Sequence, residues 1–231
     1  KKVMKDDPSA SFTPPNQTEI QAKRPVEKVS WFMAIAFCNE LTKLLPSKKT
    51  ECVYYSDAAM TKIYTSEDAG NEVHPFMNIA KKGFRLPTEA EWEWAAKGGT
   101  SDKWAGCDNE AELTDYAWTE NNSEVKTHEV AKKRANGYGL FDMSGNVFEW
   151  CHDLYDKSLP KPLPKNYKGA TQGKNRVVRG GNWQREINQA KVFYRNAVIP
   201  SGKRIYLGFR LVARPSIPIH TITFEASEGG S

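Results

Sequence analysis

The sequence lacks several features that would assign it at once to a class of protein. No apolar run approaches the roughly 20 residues that a membrane-spanning helix needs. Basic residues form no block beyond the short run 131–134, so a net charge of +5 over 231 residues indicates a mixed, solvated surface rather than nucleic-acid binding. The 4 cysteines form no C-x-x-C pair, which argues against a structural zinc site. The chain does contain 10 Phe, 9 Tyr and 7 Trp, enough for the core of one domain.

The cysteines and the start of the chain leave the cellular compartment open. Disulfides in an oxidising location and small buried thiols are both compatible with the spacing of Cys38, Cys52, Cys107 and Cys151. The sequence starts at Lys1 without a methionine or an apolar leader. We interpret this start as a processing site or a chain boundary, after which any signal or lipidation segment has been removed.

Composition divides the chain into three parts. Residues 1–23, rich in proline, serine and threonine, predict an extended leader; 24–214 predict a single domain; and 215–231 predict a tail. Inside the domain, the segment 100–136 shows no sustained periodicity. An irregular segment of this length is usually functional or held in place by packing.

Two predicted helices have clear start signals. Ser30 is the expected N-cap of a helix that runs from Trp31 to about Leu45. Thr88 and Glu91 form a capping-box pattern for a second helix, which ends at the Gly98-Gly99 pair. Short runs of β-branched and aromatic residues predict strands over 53–55, 62–64, 176–179 and 207–212.

Four sequence blocks, in this order, resemble the formylglycine-generating-enzyme (sulfatase-modifying factor) family. The blocks are Val29-Ser30-Trp31 with Phe37-Cys38-Asn39, the run 84–96, the run 136–150, and Arg179-Gly180-Gly181-Asn182-Trp183 with Gly208-Phe209-Arg210. The resemblance covers about 24–214. It implies an α+β fold of the C-type-lectin-like kind, with two helices packed on short antiparallel sheets and much irregular structure. Such motifs indicate a fold and do not by themselves indicate an activity.

Most side chains in these blocks have a structural interpretation. We expect the following tryptophans to be core residues: Trp31, Trp92, Trp94, Trp150 and Trp183. We also expect Arg85 to pair with Glu91 or Glu93. Arg179 and Arg210 are expected to be buried scaffold residues that pair with carboxylates or bond the backbone.

Catalysis is disfavoured because a cysteine pair is missing. Enzymes of the family use two cysteines between the Arg-Gly-Gly and Gly-Phe-Arg blocks to bind copper and oxidise a substrate thiol, and a soft copper site needs thiolates. The matching interval here, 182–207, contains no cysteine. The chain also has no nucleophile-elbow, P-loop, H-E-x-x-H or dinucleotide motif, and its 4 histidines are not at ligand spacing. We predict that it is not an enzyme; a formylglycine-generating-type oxidase, or another enzyme of the superfamily, is the alternative.

The last third of the chain resembles the variable region of proteins that retroelements diversify by adenine-specific mutagenesis on this same fold. The shared features are the Arg-Gly-Gly block, Tyr194-Arg195, Pro200 and the Gly-Phe-Arg block, within a variable region of about 176–210. The resemblance implies a non-enzymatic protein whose variable, ligand-binding surface is formed by these residues: Gln184, Arg185, Glu186, Asn188, Asn196, Ala197, Val198, Ile199, Ser201, Arg204, Ile205 and Tyr206. Tyrosine and arginine are typical of recognition hot spots.

Codon arithmetic supports part of this prediction. Randomising the two adenines of an Asn codon can give Arg, Ile, Val, Ala, Ser or Tyr, but not Gln or Glu. Gln184 and Glu186 are therefore fixed or come from other template codons. The alternative is a structural domain without a variable site, in which this segment is a polar loop with Val198 and Ile199 tucked into the core.

The two interpretations make different predictions about burial. If the segment is a recognition surface, its ligand-binding residues are exposed on one face, because random core substitutions commonly cost about 2–5 kcal/mol. The residues between them are then buried: Trp183, Tyr194, Leu207, Phe209 and Leu211.

The family resemblance also implies a calcium site in the block 142–149. The matching ligands are the Asp142 and Glu149 side chains and the Gly145 and Val147 carbonyls, and a set made only of oxygen atoms suits Ca²⁺. The alternative is that Asp142 caps a turn and Glu149 pairs with an arginine. No other cofactor is expected.

The expected partner is a macromolecule: a protein, or the surface of a host or competitor cell, and not nucleic acid. The resemblance places the protein at the cell surface as a lipoprotein, anchored through the removed N-terminal segment. The identity of the ligand does not follow from the sequence.

Overall fold

The computed structural model describes residues 3–4, 8–9, 19–158 and 169–214. The predicted tail, 215–231, lies outside the described residues, as does most of the predicted leader. At the end of that leader, Glu19 pairs with Arg24 at 2.6 Å and with His128 Nδ1 at 2.7 Å. Residues from 19 onward are therefore fixed to the domain. Within the described ranges, no helix is both long and apolar enough to cross a membrane.

Local capping chemistry determines where the helices begin. The helices are α1 (Trp31–Leu44), α2 (Ser66–Gly70), α3 (Glu89–Lys97) and α4 (Leu113–Tyr116), with 3-10 turns at Gln21–Lys23, Pro46–Lys48, Glu110–Glu112 and Ile187–Ala190. The Ser30 hydroxyl accepts the Met33 N–H at 3.2 Å before α1. Thr88 forms the capping box with Glu91 before α3, which ends at Gly98 in the left-handed conformation. Both predicted helix starts are confirmed.

The strands form two sheets. The smaller pairs β1 (Tyr54–Tyr55) with β2 (Phe76–Met77), and the larger comprises β3 (Phe148–Leu154), β4 (Arg176–Arg179), β5 (Asn196–Val198) and β6 (Leu207–Gly208) in the order β5-β4-β3-β6. The pairs β3–β4 and β4–β5 are antiparallel, whereas β3–β6 is parallel. The parallel pair departs from the expected all-antiparallel sheets because the chain crosses the sheet between β5 and β6.

Only one of the predicted strands has the expected bounds. The prediction 176–179 is confirmed as β4. The prediction 207–212 is too long, because β6 ends at Gly208 and Val212 makes only an isolated bridge to Arg85. The prediction 62–64 is reduced to a bridge between Ile63 and Tyr55.

Tryptophans occupy the centre of the core. At most 2% of each of the following is exposed: Trp31, Trp92, Trp150 and Trp183. The Trp31 indole N–H donates to the Cys151 carbonyl at 3.0 Å, and the Trp150 indole N–H donates to the Val29 carbonyl at 2.9 Å. These two bonds tie α1 to β3, so the buried rings also fix the helix on the sheet.

Trp94 is not a core residue, and its prediction as one is wrong. It is 64% exposed and packs against Tyr138, with the ring centres 4.8 Å apart. The reason is helix geometry: Trp94 follows the buried Trp92 by two residues, about 200° around the axis of α3. A helix with one face on the core cannot bury both rings.

The predicted scaffold charges are paired. Arg85 donates to both carboxylate oxygens of Glu91 at 2.6 Å, so Glu91 rather than Glu93 is its partner. Arg179 is fully buried and pairs with Glu93. Arg210 Nε lies 2.5 Å from Glu149. Each of these three arginines thus has a carboxylate partner. Arg210 is half-buried, so its predicted burial is wrong.

Candidate recognition surface

The segment 184–206 passes from one edge of the four-stranded sheet to the other. It leaves β4 through Trp183, turns back to form β5 at one edge, and then crosses the sheet to reach β6 at the opposite edge. We call residues 184–206 the crossing segment. Hydrogen bonds from the rest of the domain to its main chain fix its course at several points.

The first half of the crossing segment is held by donors from the irregular segment 100–136. Just before the segment, the Ser123 hydroxyl donates to the Trp183 carbonyl at 2.8 Å. The Glu120 N–H donates to the Arg185 carbonyl at 3.2 Å, and the Trp104 indole N–H donates to the Ile187 carbonyl at 2.8 Å. The irregular segment 100–136 therefore has a structural role, which its lack of periodicity could not show: it holds the crossing segment in place.

The second half is held in the same way by α1 and β3. The Trp31 N–H donates to the Pro200 carbonyl at 2.8 Å, and the Lys28 N–H donates to the Arg204 carbonyl at 3.0 Å. The Phe148 N–H, at the start of β3, donates to the Tyr206 carbonyl at 2.8 Å. In both halves the acceptors are main-chain carbonyls, which every residue type supplies.

The predicted ligand-binding residues divide into two groups by exposure. The exposed group comprises Gln184, Arg185, Glu186, Asn188, Ile199 and Arg204. The half-buried group comprises Asn196, Ala197, Val198, Ser201, Ile205 and Tyr206. The predicted exposure is therefore wrong for the half-buried group, of which Val198 and Tyr206 pack against the main core, although none of its members is fully buried.

The residues expected to be buried between them are only partly so. Trp183 and Leu207 are buried, at 2% and 0% exposure. Tyr194, Phe209 and Leu211 are half-buried at the margin of the main core, so their predicted burial is wrong. The sheet is short here, and residues past its ends have only one covered side.

Trp183 brings two parts of the crossing segment together. Its indole N–H donates to the Ile205 carbonyl at 3.3 Å, so 184–188 lies beside 204–206. β5, by contrast, is an edge strand on the far side of β4, where Val198 pairs with Arg176. The predicted residues thus lie on one continuous segment but form two areas of surface, so the expectation of a single face is wrong.

Sequence reasoning missed one exposed aromatic residue in the crossing segment. Phe193 is 60% exposed, and the Lys191 ammonium group lies 5.9 Å from its ring centre and 5.6 Å from that of Trp104. Codon arithmetic is compatible with variation at Phe193, because replacing both adenines of an Asn codon with thymines gives Phe, but it does not show that the side chain is exposed.

Three of the four residues predicted to bind calcium line one cavity, and the fourth, Gly145, is not among its lining residues. Asp142, Val147 and Glu149 line a space of about 400 Å³ together with Arg210. Burial raises the pKa of the Asp142 carboxyl, because removal from water disfavours its charged form. Asp142 Oδ2 accepts the Ala131 N–H at 2.8 Å.

Arg210 competes with a metal ion in this cavity. Its Nε and Nη2 donate to the two oxygens of Glu149 at 2.5 and 2.8 Å, and Nη2 also donates to the Phe141 carbonyl at 3.1 Å. The Trp92 indole N–H takes a further position on Glu149 at 2.7 Å. Glu149 therefore has the arginine partner of the alternative interpretation, and as arranged the donor set does not fit calcium.

Calcium titration tests the prediction that calcium binds here. With Arg210 in place, we expect millimolar calcium to leave the melting temperature unchanged, measured by differential scanning fluorimetry after dialysis against EGTA. A rise in melting temperature that Asp142→Asn abolishes would instead support the calcium site, and would show that the ion displaces Arg210 from Glu149.

The sequence of this chain matches a known protein family over almost its whole length. The family described as "Sulfatase-modifying factor enzyme 1-like domain" matches residues 2–215. The chain belongs to this family. The match confirms the resemblance found in the four sequence blocks, and the C-type-lectin-like α+β fold with it.

The proteins that are similar to this chain include a variable protein, a chaperone and an enzyme. The solved structure of Treponema denticola variable protein 1 is 43% identical, with a TM-score of 0.82, covering 92% of this chain and 79% of that one. "Chaperone protein LppX" of Paenibacillus barcinonensis is 32% identical over 82% of this chain and 70% of that protein. The formylglycine-generating enzyme of Streptomyces coelicolor is 30% identical over 63% of this chain, which spans only 54% of that enzyme. The similarity to a treponemal variable protein confirms the resemblance to that class.

The cysteines do not supply the thiolates that the family's oxidases use. All four are free and buried, so buried thiols, rather than disulfides, are what the structure shows. Burial raises the pKa of the Cys38 and Cys151 thiols far above its usual range, and that of Cys107 to about 11. These thiols are protonated at neutral pH and are poor copper ligands.

Proposed function

We propose that the chain is a non-enzymatic ligand-binding protein that displays a variable recognition surface on the crossing segment. The observation that carries the proposal is the way this segment is held. Scaffold groups donate to its main-chain carbonyls in both halves, from Trp104 and Glu120 in the first half and from Lys28, Trp31 and Phe148 in the second.

When a segment is held through its main-chain carbonyls, the path of its backbone depends little on which side chains it carries. A substitution at Arg185 or Arg204 leaves the carbonyl that accepts the scaffold hydrogen bond in place. Exposed substitutions usually change stability by less than about 0.5 kcal/mol. The exposed group can therefore take many residue types while the path of the chain stays constant, as a diversified recognition surface requires.

The composition of the surface also suits recognition. Arg185, Phe193, Ile199 and Arg204 are exposed on the crossing segment, and arginine and aromatic residues are enriched in binding hot spots. Exposed apolar side chains grouped on one segment need a reason, and a partner protein supplies one. The similarity to a variable protein supports the same proposal.

An oxidase is the weaker candidate. Its copper chemistry would need a thiolate pair in 182–207, where the sequence has no cysteine. Family membership alone does not assign an activity, because one fold carries several functions. A purely structural domain would explain the carbonyl contacts equally well, and the similarity to a variable protein is what favours recognition.

The origin and location of the protein are part of this proposal. Retroelement mutagenesis predicts a near-copy of the segment encoding residues 175–214, rich in Asn codons, beside a reverse-transcriptase gene. A genome that lacks such a copy would contradict the proposed retroelement origin. The proposed partner is a protein or a cell surface, and the proposed location is the cell surface through a lipid anchor; both rest on resemblance.

A display library tests the capacity for recognition. The exposed group, Gln184, Arg185, Glu186, Asn188, Ile199 and Arg204, is randomised on yeast and selected for binding to purified hen lysozyme. A matched library randomises exposed residues of the turn between Tyr55 and Ile63, of α2 and of its C-cap: Ala58, Ala59, Lys62, Ser66, Glu67 and Asn71. We expect lysozyme binders from the first library, with affinity lost when the clone's residues are reverted.

The comparison between the libraries decides the result. Binders that arise equally often from the matched library would show that any exposed surface of this fold can be selected. The crossing segment would then have no special role, and the proposal would be wrong.

A further inference from the structure

Arg195 holds the chain at the start of β5. Its Nε and Nη2 donate to the two carboxylate oxygens of Glu89 at 2.5 and 2.7 Å. Its Nη1 donates to the Asp156 carbonyl at 2.8 Å, and its guanidinium lies 5.0 Å from the Tyr155 ring centre. Two parallel charge-assisted hydrogen bonds make this one of the strongest contacts an arginine can form.

Arg179 holds the preceding residue from the other side. This fully buried arginine, at the end of β4, donates to the Tyr194 carbonyl and pairs with Glu93. Its Nε also lies 3.3 Å from Glu89 Oε1, so Glu89 is shared by the two arginines. Both glutamates belong to α3. The chain at 194–195 is therefore fixed to a helix as well as to the sheet.

This attachment lies where the crossing segment has least support of its own. β5 is an edge strand of 3 residues, paired on one side only. Short elements with few buried contacts open locally at low free energy. What holds the residue before β5 therefore largely determines where β5 and the following residues lie.

We propose that Arg195 is a positioning residue: its ion pair with Glu89 fixes the start of β5 and so preorganises the 196–206 half of the recognition surface. The inference rests on the proposed function of that surface, because preorganisation strengthens binding by reducing the ordering cost. Arg195 itself is only partly accessible, with 16% of its side chain exposed. Its role is to place its neighbours.

Hydrogen–deuterium exchange on the whole chain without ligand tests this role. In Arg195→Gln, we expect amides in 196–206 to exchange roughly tenfold faster, because the variant loses the bidentate charged contact. Amides of α1 and β3 should keep their rates. Arg195→Lys, which keeps the charge but not the two parallel bonds, should fall between the wild type and Arg195→Gln.

Arg85→Gln is the matched control. Arg85 forms an equally short bidentate pair with Glu91 on the same helix, but it contacts no residue of the crossing segment among the described hydrogen bonds. The Arg85→Gln variant should leave the exchange rates of amides 196–206 unchanged relative to those of α1. Unchanged 196–206 exchange in Arg195→Gln, or an equal rise in α1 and β3, would contradict the proposal. The experiment uses no ligand, so failure of the display selection would not alter its outcome.

Discussion

Replacing Trp183 with alanine should lower the free energy of unfolding by about 3–5 kcal/mol. The side chain is 2% exposed, so the change leaves a cavity beneath the crossing segment. It also removes the indole N–H that donates to the Ile205 carbonyl at 3.3 Å, which joins the two areas of the surface. Urea denaturation followed by tryptophan fluorescence and circular dichroism measures the difference.

Trp94→Ala is the matched control for this prediction. The residue type and the substitution are the same, but Trp94 is 64% exposed and packs against the Tyr138 ring. Loss of an aromatic pair costs at most about 1.5 kcal/mol. If both variants lost the same stability, burial of Trp183 would not be the cause of its loss. Trp183 would then not hold the two areas of the surface together.

Replacing Gly145 with alanine should cost about 3–5 kcal/mol or prevent folding. Gly145 has φ of 83°, and an added Cβ would lie 2.2 Å from the Trp118 carbonyl oxygen. Its N–H donates to the Gly180 carbonyl at 2.7 Å, and the next residue's N–H donates to the Trp118 carbonyl at 2.8 Å. The chain cannot move aside without breaking contacts at the base of the surface.

Gly139→Ala separates the backbone strain from the clash. Gly139 also has a positive φ, 75°, but an added Cβ meets nothing within 4 Å. Alanine there should cost only the left-handed strain, about 1–2 kcal/mol. Both variants are compared by soluble yield and thermal melting. Equal losses would mean that the contact between Gly145 and Trp118 is unimportant.

Parts of the fold that depend on local chemistry were predictable from sequence. Ser30 and Thr88 cap helices because their side chains reach amides only three residues away, and no distant residue is needed. Trp94 shows the limit of motif reasoning. Its block indicated a core helix, but only the helical angle between positions 92 and 94 shows that one ring faces water.

The arrangement that matters most for function was not predictable, because it depends on contacts between distant residues. The Trp104 indole reaches the Ile187 carbonyl, and Arg195 reaches Glu89, across separations that no period in the sequence encodes. β5 has only 3 residues, too few for an alternation to be recognised. The resemblance gave the position of the crossing segment, but not how the scaffold holds it.

The proposed recognition surface is tested most directly by the melting temperatures of proteins whose exposed group has been randomised. Clones with random residues at Gln184, Arg185, Glu186, Asn188, Ile199 and Arg204, taken without selection, should mostly melt within about 5 °C of the parent. Clones randomised at the buried Trp183, Val192 and Leu207 should mostly be unfolded. If the surface clones unfold as often as the core clones, the six exposed side chains are needed to hold the crossing segment, and the proposed recognition surface does not exist.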